Sequence, residues 1–404
     1  MAEENAPVPN MMDPAYVADP YPALNALRDG PGVGDDATQA QWYVTRYDEV
    51  REVLYDRRLS ADVRNAAPMT SGWFVSQGRG EVSTEQIGML LLDEPDHTRL
   101  RKLVNKAFTP RAVETMRPKI EARARELIDG LIGQSEFDLM AAFAQPFPTL
   151  IIAEMIGVDP ADQAKFKQWS DAVVQGLDPF IGDEQRAAIH SASAALDEYF
   201  ERAIAQRRAE PRDDLVSRLI AAQEDGDQLT TVEMKVMLNL LLTAGNVTTT
   251  DLIGNGIHAL LAHGDQFEKL KADPALVVNA VEEMLRYDSP VIETWRFSDR
   301  DETFSGCPVA AHQTIAPSLA AANHDPRHFE DPERFDITRP EIEHVSFGGG
   351  IHYCLGASLA RLEAQVAVTA LVERFPNMRI AEGREPVYRT LPGFRGMQSF
   401  WVAV

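Results

Sequence analysis

The sequence predicts a mainly α-helical fold with a smaller β region. Apolar residues recur at helical spacing through most of the chain, whereas β-branched and alternating stretches are confined to its beginning and its last third. One helical pattern, opened by the capping box Thr230-x-x-Glu233, runs on to Leu261; at ~1.5 Å per residue such a helix crosses a whole domain. With 45% hydrophobic and 25% charged residues, the 404-residue chain has ample material for a large core.

Taken in order, Met1 to Asn10 are acidic and contain proline, without the basic and apolar regions of a signal peptide, and read as a flexible tail. Gln41 to Thr45 has strand chemistry, and Tyr47 to Leu54 returns to helical spacing. Leu59 to Gly88 loses periodicity and mixes Gly, Ser, Pro and Asn with Met69, Trp73 and Phe74, the pattern of a lid over a pocket. Asp96 to Ile132 and Phe137 to Val158 read as successive helices, interrupted at Pro110 and by Gly130 to Gly133. Ala161 to Gln175 and Glu184 to Arg207 read as two more, joined through Leu177-Asp178-Pro179. The long helix is expected to stop at Gly264, and Pro274 to Tyr287 gives another. Pro290 to Ala322 turns to short strands, and Leu391 to Val404 reads as a hairpin bending at Gly393 and Gly396.

A formal net charge of −23 argues against a general binder of nucleic acid or anionic membrane, which needs cations to neutralise phosphate. The longest uncharged runs, such as Val236 to Thr250, fall short of a membrane span, so no membrane is expected. Cys307 and Cys354 are far apart and give no disulfide framework, which fits a cytoplasmic protein.

The chemistry concentrates in Phe347-Gly348-Gly349-Gly350-Ile351-His352-Tyr353-Cys354-Leu355-Gly356. Glycines there permit φ > 0 and the close approach of a flat partner. Cys354 falls where a helical pattern begins, and a helix N-terminus favours the metal-binding thiolate. A lone cysteine cannot build a tetrahedral zinc or iron–sulfur site, so a metal bound here arrives with most of its ligands attached. Haem does this, and a thiolate below its iron favours O–O cleavage. The spacing Phe347-x-Gly349-x-x-His352-x-Cys354-x-Gly356 resembles the haem-binding signature of the cytochrome P-450 family.

A second stretch, Ala244-Gly245-Asn246-Val247-Thr248-Thr249-Thr250-Asp251, puts a notch of small residues beside hydroxyls that can bond back to helix carbonyls. It resembles the family's oxygen-binding segment, Ala-Gly-x-(Asp/Glu)-Thr-Thr, and maps Thr248 onto the catalytic threonine. Glu283 and Arg286, at i and i+3, match the family's Glu-x-x-Arg structural pair, locked by resemblance to the segment from His324 to Arg339. Haem propionates need cationic or hydrogen-bonding partners, and position by position these are His97, Arg101, Arg296 and His352. Ala244, Gly245, Phe347, Gly348 and Gly356 complete the cofactor contacts that the resemblance implies.

The resemblance spans about Asp19 to the C-terminus, which makes 1–18 the tail and 19–404 a single catalytic domain. It implies haem b held between the long helix and the helix after Cys354, with Cys354 as axial ligand of the iron. The implied reaction is monooxygenation of a small or medium apolar substrate with O2. Electrons come from NAD(P)H through ferredoxin reductase and ferredoxin. By analogy of position, Trp73, Phe74, Ala244, Thr248, Val291, Ile292 and Phe394 line the substrate pocket, and the protein is a monomer. Two rivals are an H2O2-using peroxygenase, against which Thr248 argues, and a non-catalytic haem protein, against which the hydroxyl notch and the lid argue.

Two features belong to this chain in particular. His97 to Val113 holds Arg99, Arg101, Lys102, Lys106 and Arg111 without a carboxylate, so the segment from Arg99 to Arg111 is the expected dock for an acidic ferredoxin. Val247 stands where the family has an acid before the threonine. Proton delivery then falls to water ordered by Thr248, to Asn246, or to Asp251, which lies four residues after Val247 on nearly the same face; water with Asp251 assisting is the expectation.

Overall fold

The capping box at Thr230 starts the helix that the rest of the molecule surrounds. In the computed structural model, which describes residues 8–36, 41–66, 84–176, 181–224, 226–304 and 307–404, Thr230 Oγ1 accepts from the Glu233 N–H at 3.2 Å. Glu233 Oε2 accepts from the Thr230 N–H at 2.8 Å. Two orphan N–H groups are thereby satisfied, and the helix runs Thr231–Ala262. Helices Pro146–Ile156, Asp183–Ala209, Val277–Tyr287 and Ala357–Arg374 pack around it. Contrary to the sequence expectation, this helix is long and apolar enough to cross a membrane, but 56% of that window is buried inside the protein. Its apolarity is that of a helix with neighbours on nearly every side.

Most expected elements form, and several boundaries move for identifiable reasons. Asp96–Asn105, Pro110–Glu114 and Arg117–Asp129 are separate helices, Pro110 standing in the first turn of the second behind the Thr109 cap. The helix expected from Phe137 begins instead as a strand, Glu136–Asp138, followed by a π-helical turn, Met140–Ala144. Gly264 does not end the helical region: after a break at His263 it opens a further helix, Gly264–Ala272. The C-terminal stretch is no hairpin. Met397–Ser399 pairs with Val387–Tyr388, while Trp401–Ala403 lies between Arg379–Ile380 and Glu136–Asp138. Phe400, between the two strands, and Val402, in the second, are fully buried.

The β region is a four-stranded sheet in the order Val33–Asp36, Gln41–Val44, Thr314–Pro317, Arg296–Phe297. Its middle pair is parallel and its outer pairs antiparallel. Val33, Val44, Val50, Leu54, Ile315 and Leu319 form a core of their own beneath it. The sheet therefore brings Arg296 and its preceding loop to the edge of the helical body, facing the long helix across a cavity.

Candidate active site

The described residues bound a cavity of about 1580 Å³, larger than the ~300–1,000 Å³ usual for one drug-sized ligand. The long helix lines one wall with Ala244, Gly245, Val247, Thr248 and Thr249. Phe347, Gly348, Gly349, His352, Cys354 and Gly356 line the facing wall. Val291, Thr294, Arg296 and Phe394 close a third side, and His97 and Arg101 stand at the rim. Ile292, expected in the pocket, is buried instead against Tyr16, Leu24, Ala320 and Ala321, because alternation along an extended backbone turns it to the opposite face from its neighbours. Trp73 and Phe74, with the centre of the expected lid, lie outside the described residues.

The glycine loop is built for close approach. Gly348 and Gly350 have φ of +68° and +63°, a region that L side chains avoid. A Cβ on Gly350 would meet the Leu54 carbonyl oxygen at 2.7 Å, and one on Gly349 would meet the Tyr55 ring at 2.5 Å. The loop is thus pressed onto helix Tyr47–Tyr55. At Gly348, Gly356 and Gly245, by contrast, an added Cβ would meet nothing within 4 Å. All three line the cavity, from its two facing walls, and leave space there that a flat ring system could enter.

Cys354 donates its N–H to Phe347 O at 2.9 Å, which closes the loop. The helix begins at Ala357, with Gly356 as its N-cap, so the sulfur lies one turn ahead of the position expected from sequence. Burial pushes the thiol up from its ordinary value; the Gly356 N–H, Arg101 and Arg361 oppose this without overcoming it. The expected lowering by the helix terminus is outweighed, and a cation at the sulfur is what would draw out its proton.

Among the described residues, four groups at the rim enter no ion pair. Arg296 is buried, donates to the Trp295 carbonyl at 2.7 Å, and is pushed down to about 10 by desolvation. Burial likewise lowers Arg101. The His97 and His352 rings stand 4.3 Å apart, with pKa values lowered by burial and by nearby arginines to about 4 and about 3. Both are neutral at pH 7 and act as hydrogen-bonding groups, not cations. His97 Nδ1 and His352 Nε2 are buried without partners. Two arginines and two unsatisfied imidazoles beside a slot above one cysteine fit the two propionates of a haem, whose iron Cys354 can hold.

On the long helix, Thr248 Oγ1 donates back to the Ala244 carbonyl at 2.8 Å. Asn246 turns away from the cavity and donates to Thr149 Oγ1 at 2.9 Å, and Thr250 donates to the Ala144 carbonyl. Asp251 is fully buried and ion-paired with Arg389 at 2.5 Å, outside the cavity wall. The expectation that Asp251 assists Thr248 is therefore corrected: residues three and four apart share a helix face only broadly, and here the close contact with Gly396 holds this carboxylate against the C-terminal strands. Sequence reasoning also missed Glu293, half-buried, and Glu363, buried, two cavity carboxyls that each have one oxygen without a partner among the described residues; desolvation raises both, Glu293 to about 8. Neither stands in a motif, so only the fold reveals them.

Glu283 and Arg286 are fully buried and paired at 2.7 Å. Arg286 also donates to the carbonyls of Asn323, Pro332 and Arg334, and Glu283 accepts from the Asp336 N–H and Arg339. Of the basic segment, Lys102, Lys106 and Arg111 are exposed, but Arg99 is bound to Asp227 and Glu233, which removes it from the expected docking set.

The family model for "Cytochrome P450" matches residues 40–390. The chain is 44% identical to Cytochrome P450 107B1 of Saccharopolyspora erythraea over 343 residues, covering 84% of this chain and 83% of that protein. It is 42% identical to the Vitamin D(3) 25-hydroxylase of Pseudonocardia autotrophica over 391 residues, 95% of this chain and 91% of that one. Among solved structures, the polyketide synthase cytochrome P450 PksS of Bacillus subtilis superposes with a TM-score of 0.88 at 35% identity, covering 98% of this chain and 99% of that chain. A cysteine loop, a hydroxyl-bearing helix and a rim of arginine and histidine thus meet in a chain that belongs to the cytochrome P450 family and is a monooxygenase that uses haem and O2.

Proposed function

We propose that residues 19–404 form a single catalytic domain, onto which helix Pro14–Ala18 and Met11 pack rather than forming the flexible tail expected from sequence, and that it inserts one oxygen atom into a small or medium apolar substrate. The reading rests on one juxtaposition: Cys354 and Thr248 line a single, mostly apolar cavity together with Arg101, Arg296, His97 and His352, which enter no ion pair among the described residues. Cys354 holds the iron, and the four rim groups hold the propionates. When bound, the haem supplies reductive activation of O2. The open backbones of Gly245, Gly348 and Gly356 make room for the ring, and Val291, Phe394 and Ala244 exclude water from the substrate. Thr248 holds a proton at Oγ1; with valine at 247 and Asp251 tied to Arg389, that proton is replenished by water reaching the cavity. The vitamin D(3) 25-hydroxylase relative is named for oxidising vitamin D(3), and a cavity of about 1580 Å³ would hold a haem and leave room beside it for a small or medium apolar substrate. Electrons come from NAD(P)H through ferredoxin reductase and a ferredoxin that docks on Lys102, Lys106 and Arg111. The functional unit is a monomer.

The test is spectroscopic. Reduced holoprotein with CO shows the red-shifted Soret band of thiolate ligation, and Cys354→His or Cys354→Ala abolishes it. The same band in the variants would reject Cys354 as ligand. NAD(P)H-dependent turnover with ferredoxin, exceeding turnover with H2O2 alone, separates the monooxygenase from a peroxygenase.

A further inference from the structure

Glu293 is a carboxyl in the substrate cavity for which the fold supplies no partner. Its backbone is fixed: Ile292 N–H donates to the Gly393 carbonyl at 2.9 Å, Glu293 bridges Ser318, and Val291 bridges Phe394. The side chain packs against the turn at Gly393, whose added Cβ would lie 3.8 Å from Glu293 Cγ. The cavity that Glu293 lines is also lined by the apolar Met11, Val291, Pro392 and Phe394. Among the described residues Glu293 is half-buried and enters no ion pair; its Oε2 faces protein and accepts no hydrogen bond, so it is the rest of the carboxyl that a ligand in the cavity would meet. Leaving such a group unpaired works against folding, so a carboxyl retained in a cavity wall is accounted for by a ligand that completes it.

We infer that Glu293 is a specificity-determining residue, selecting substrates that join an apolar body to a basic nitrogen. This rests on the haem-monooxygenase reading of the same cavity. A cationic head group would give the carboxyl the partner it lacks, while its apolar body occupies the walls around Val291 and Phe394. The net charge of −23 favours approach of a cation over an anion. Burial alone raises the Glu293 carboxyl to about 8, so at neutral pH it is mainly protonated and binding of a cation releases its proton. The titratable groups around it do not mask this release. Tyr16, which senses Glu293, is raised well above this range, and Arg296 stays protonated with its value at about 10. Arg395, on the packed turn, is raised and paired with Asp288.

The experiment compares dodecylguanidinium with dodecylurea, head groups of one shape that differ in charge, the first too strongly protonated to ligate iron. Holoprotein is titrated by equilibrium dialysis and by the Soret shift. Wild type is expected to bind the guanidinium at least ~10-fold more tightly than the urea, and Glu293→Gln to reduce that preference to about twofold with haem content unchanged. Guanidinium affinity of wild type is expected to rise by up to about tenfold per pH unit from pH 6.5 to 8, while urea affinity stays flat. Equal preference in wild type and Glu293→Gln overturns the inference. If the variant yields no holoprotein, the wild-type pH profile decides, and a flat guanidinium profile overturns it. Dialysis needs no iron–sulfur bond, and the reduced-CO spectrum of the same sample reports separately on the haem-thiolate reading.

Discussion

Asp251 is buried beside an arginine and still resists ionisation. Desolvation raises its carboxyl to about 7, and the attraction and hydrogen bond of Arg389, at 2.5 Å, do not offset it. One of its oxygens is left without a partner. Because the folded value lies above the ordinary value of 3.8, the folded state holds the proton more firmly than the unfolded chain between pH 4 and 7. The associated stability is complete below about pH 4 and lost as pH rises through about 7. Asp251→Asn, which does not titrate, is therefore expected to match wild type near pH 4 and to exceed it by a few kcal/mol above pH 7. Chemical denaturation at a series of pH values checks this; a difference that does not change with pH counts against it. Since Asp251 lies off the cavity, product formed per NAD(P)H is expected to be the same in this variant as in wild type. A fall in coupling would return Asp251 to the proton path.

Between elements, helix Val277–Tyr287 fixes the cysteine loop through a chain of buried polar contacts. Arg286 holds the Asn323 carbonyl at 3.0 Å, and the Asn323 side chain accepts from the Val345 N–H at 2.9 Å and donates to Ser346 Oγ at 2.8 Å. Ser346 in turn donates to the Leu285 carbonyl at 2.6 Å, back on the starting helix. Phe347 follows, and its carbonyl takes the Cys354 N–H. The guanidinium fork serves one carboxylate and three carbonyls, which a lysine cannot reproduce. Arg286→Lys is expected to lose about 2 kcal/mol or more and part of its haem occupancy, and Arg286→Leu, which strands Glu283 uncompensated, about 3–5 kcal/mol. Thermal unfolding together with haem content per chain measures both; unchanged haem occupancy in each would show that the loop is held some other way. The sequence announced this pair only as Glu-x-x-Arg, a spacing common on solvated faces. Its burial could not be seen, because the carbonyls it serves lie 37 to 48 residues away. The long helix was legible because its cap and apolar run are local. The pairing of Trp401–Ala403 with Glu136–Asp138 was not, since nothing in either segment names the other. Cys354 was singled out by its glycine loop, whereas Thr248 and the rim groups were expected only from the resemblance to the cytochrome P-450 family; Glu293 and Glu363 stand in no motif and acquire meaning only from their place in the cavity wall.

At the scale of the whole molecule, a basic face survives on a chain of net charge −23, and folding changes its membership. Arg99 is drawn into the first turn of the long helix, where it binds Glu233 of the capping box and Asp227. Arg101 borders the cavity and donates to Asn105. Lys102, Lys106 and Arg111 remain exposed on helices Asp96–Asn105 and Pro110–Glu114 and the turn between them. Helix Pro110–Glu114 packs against the helix that follows Cys354, so charge placed on it lies on the cysteine side of the molecule. An acidic ferredoxin is attracted to such a patch from beyond contact distance, and salt screens that attraction over about 10 Å at 0.1 M. The rate of the first electron transfer is therefore expected to fall as ionic strength rises, and Lys102→Glu or Arg111→Glu to lower it several-fold at low salt while converging on wild type at high salt. Arg99→Gln is expected to behave differently, costing stability through the uncapped helix start and leaving the salt dependence of the rate intact. Stopped-flow reduction of the ferric protein under CO, followed by the growth of the CO-complex band, reads all four proteins. Salt-independent rates, or an Arg99 variant that reproduces the Lys102 profile, would place the docking surface elsewhere.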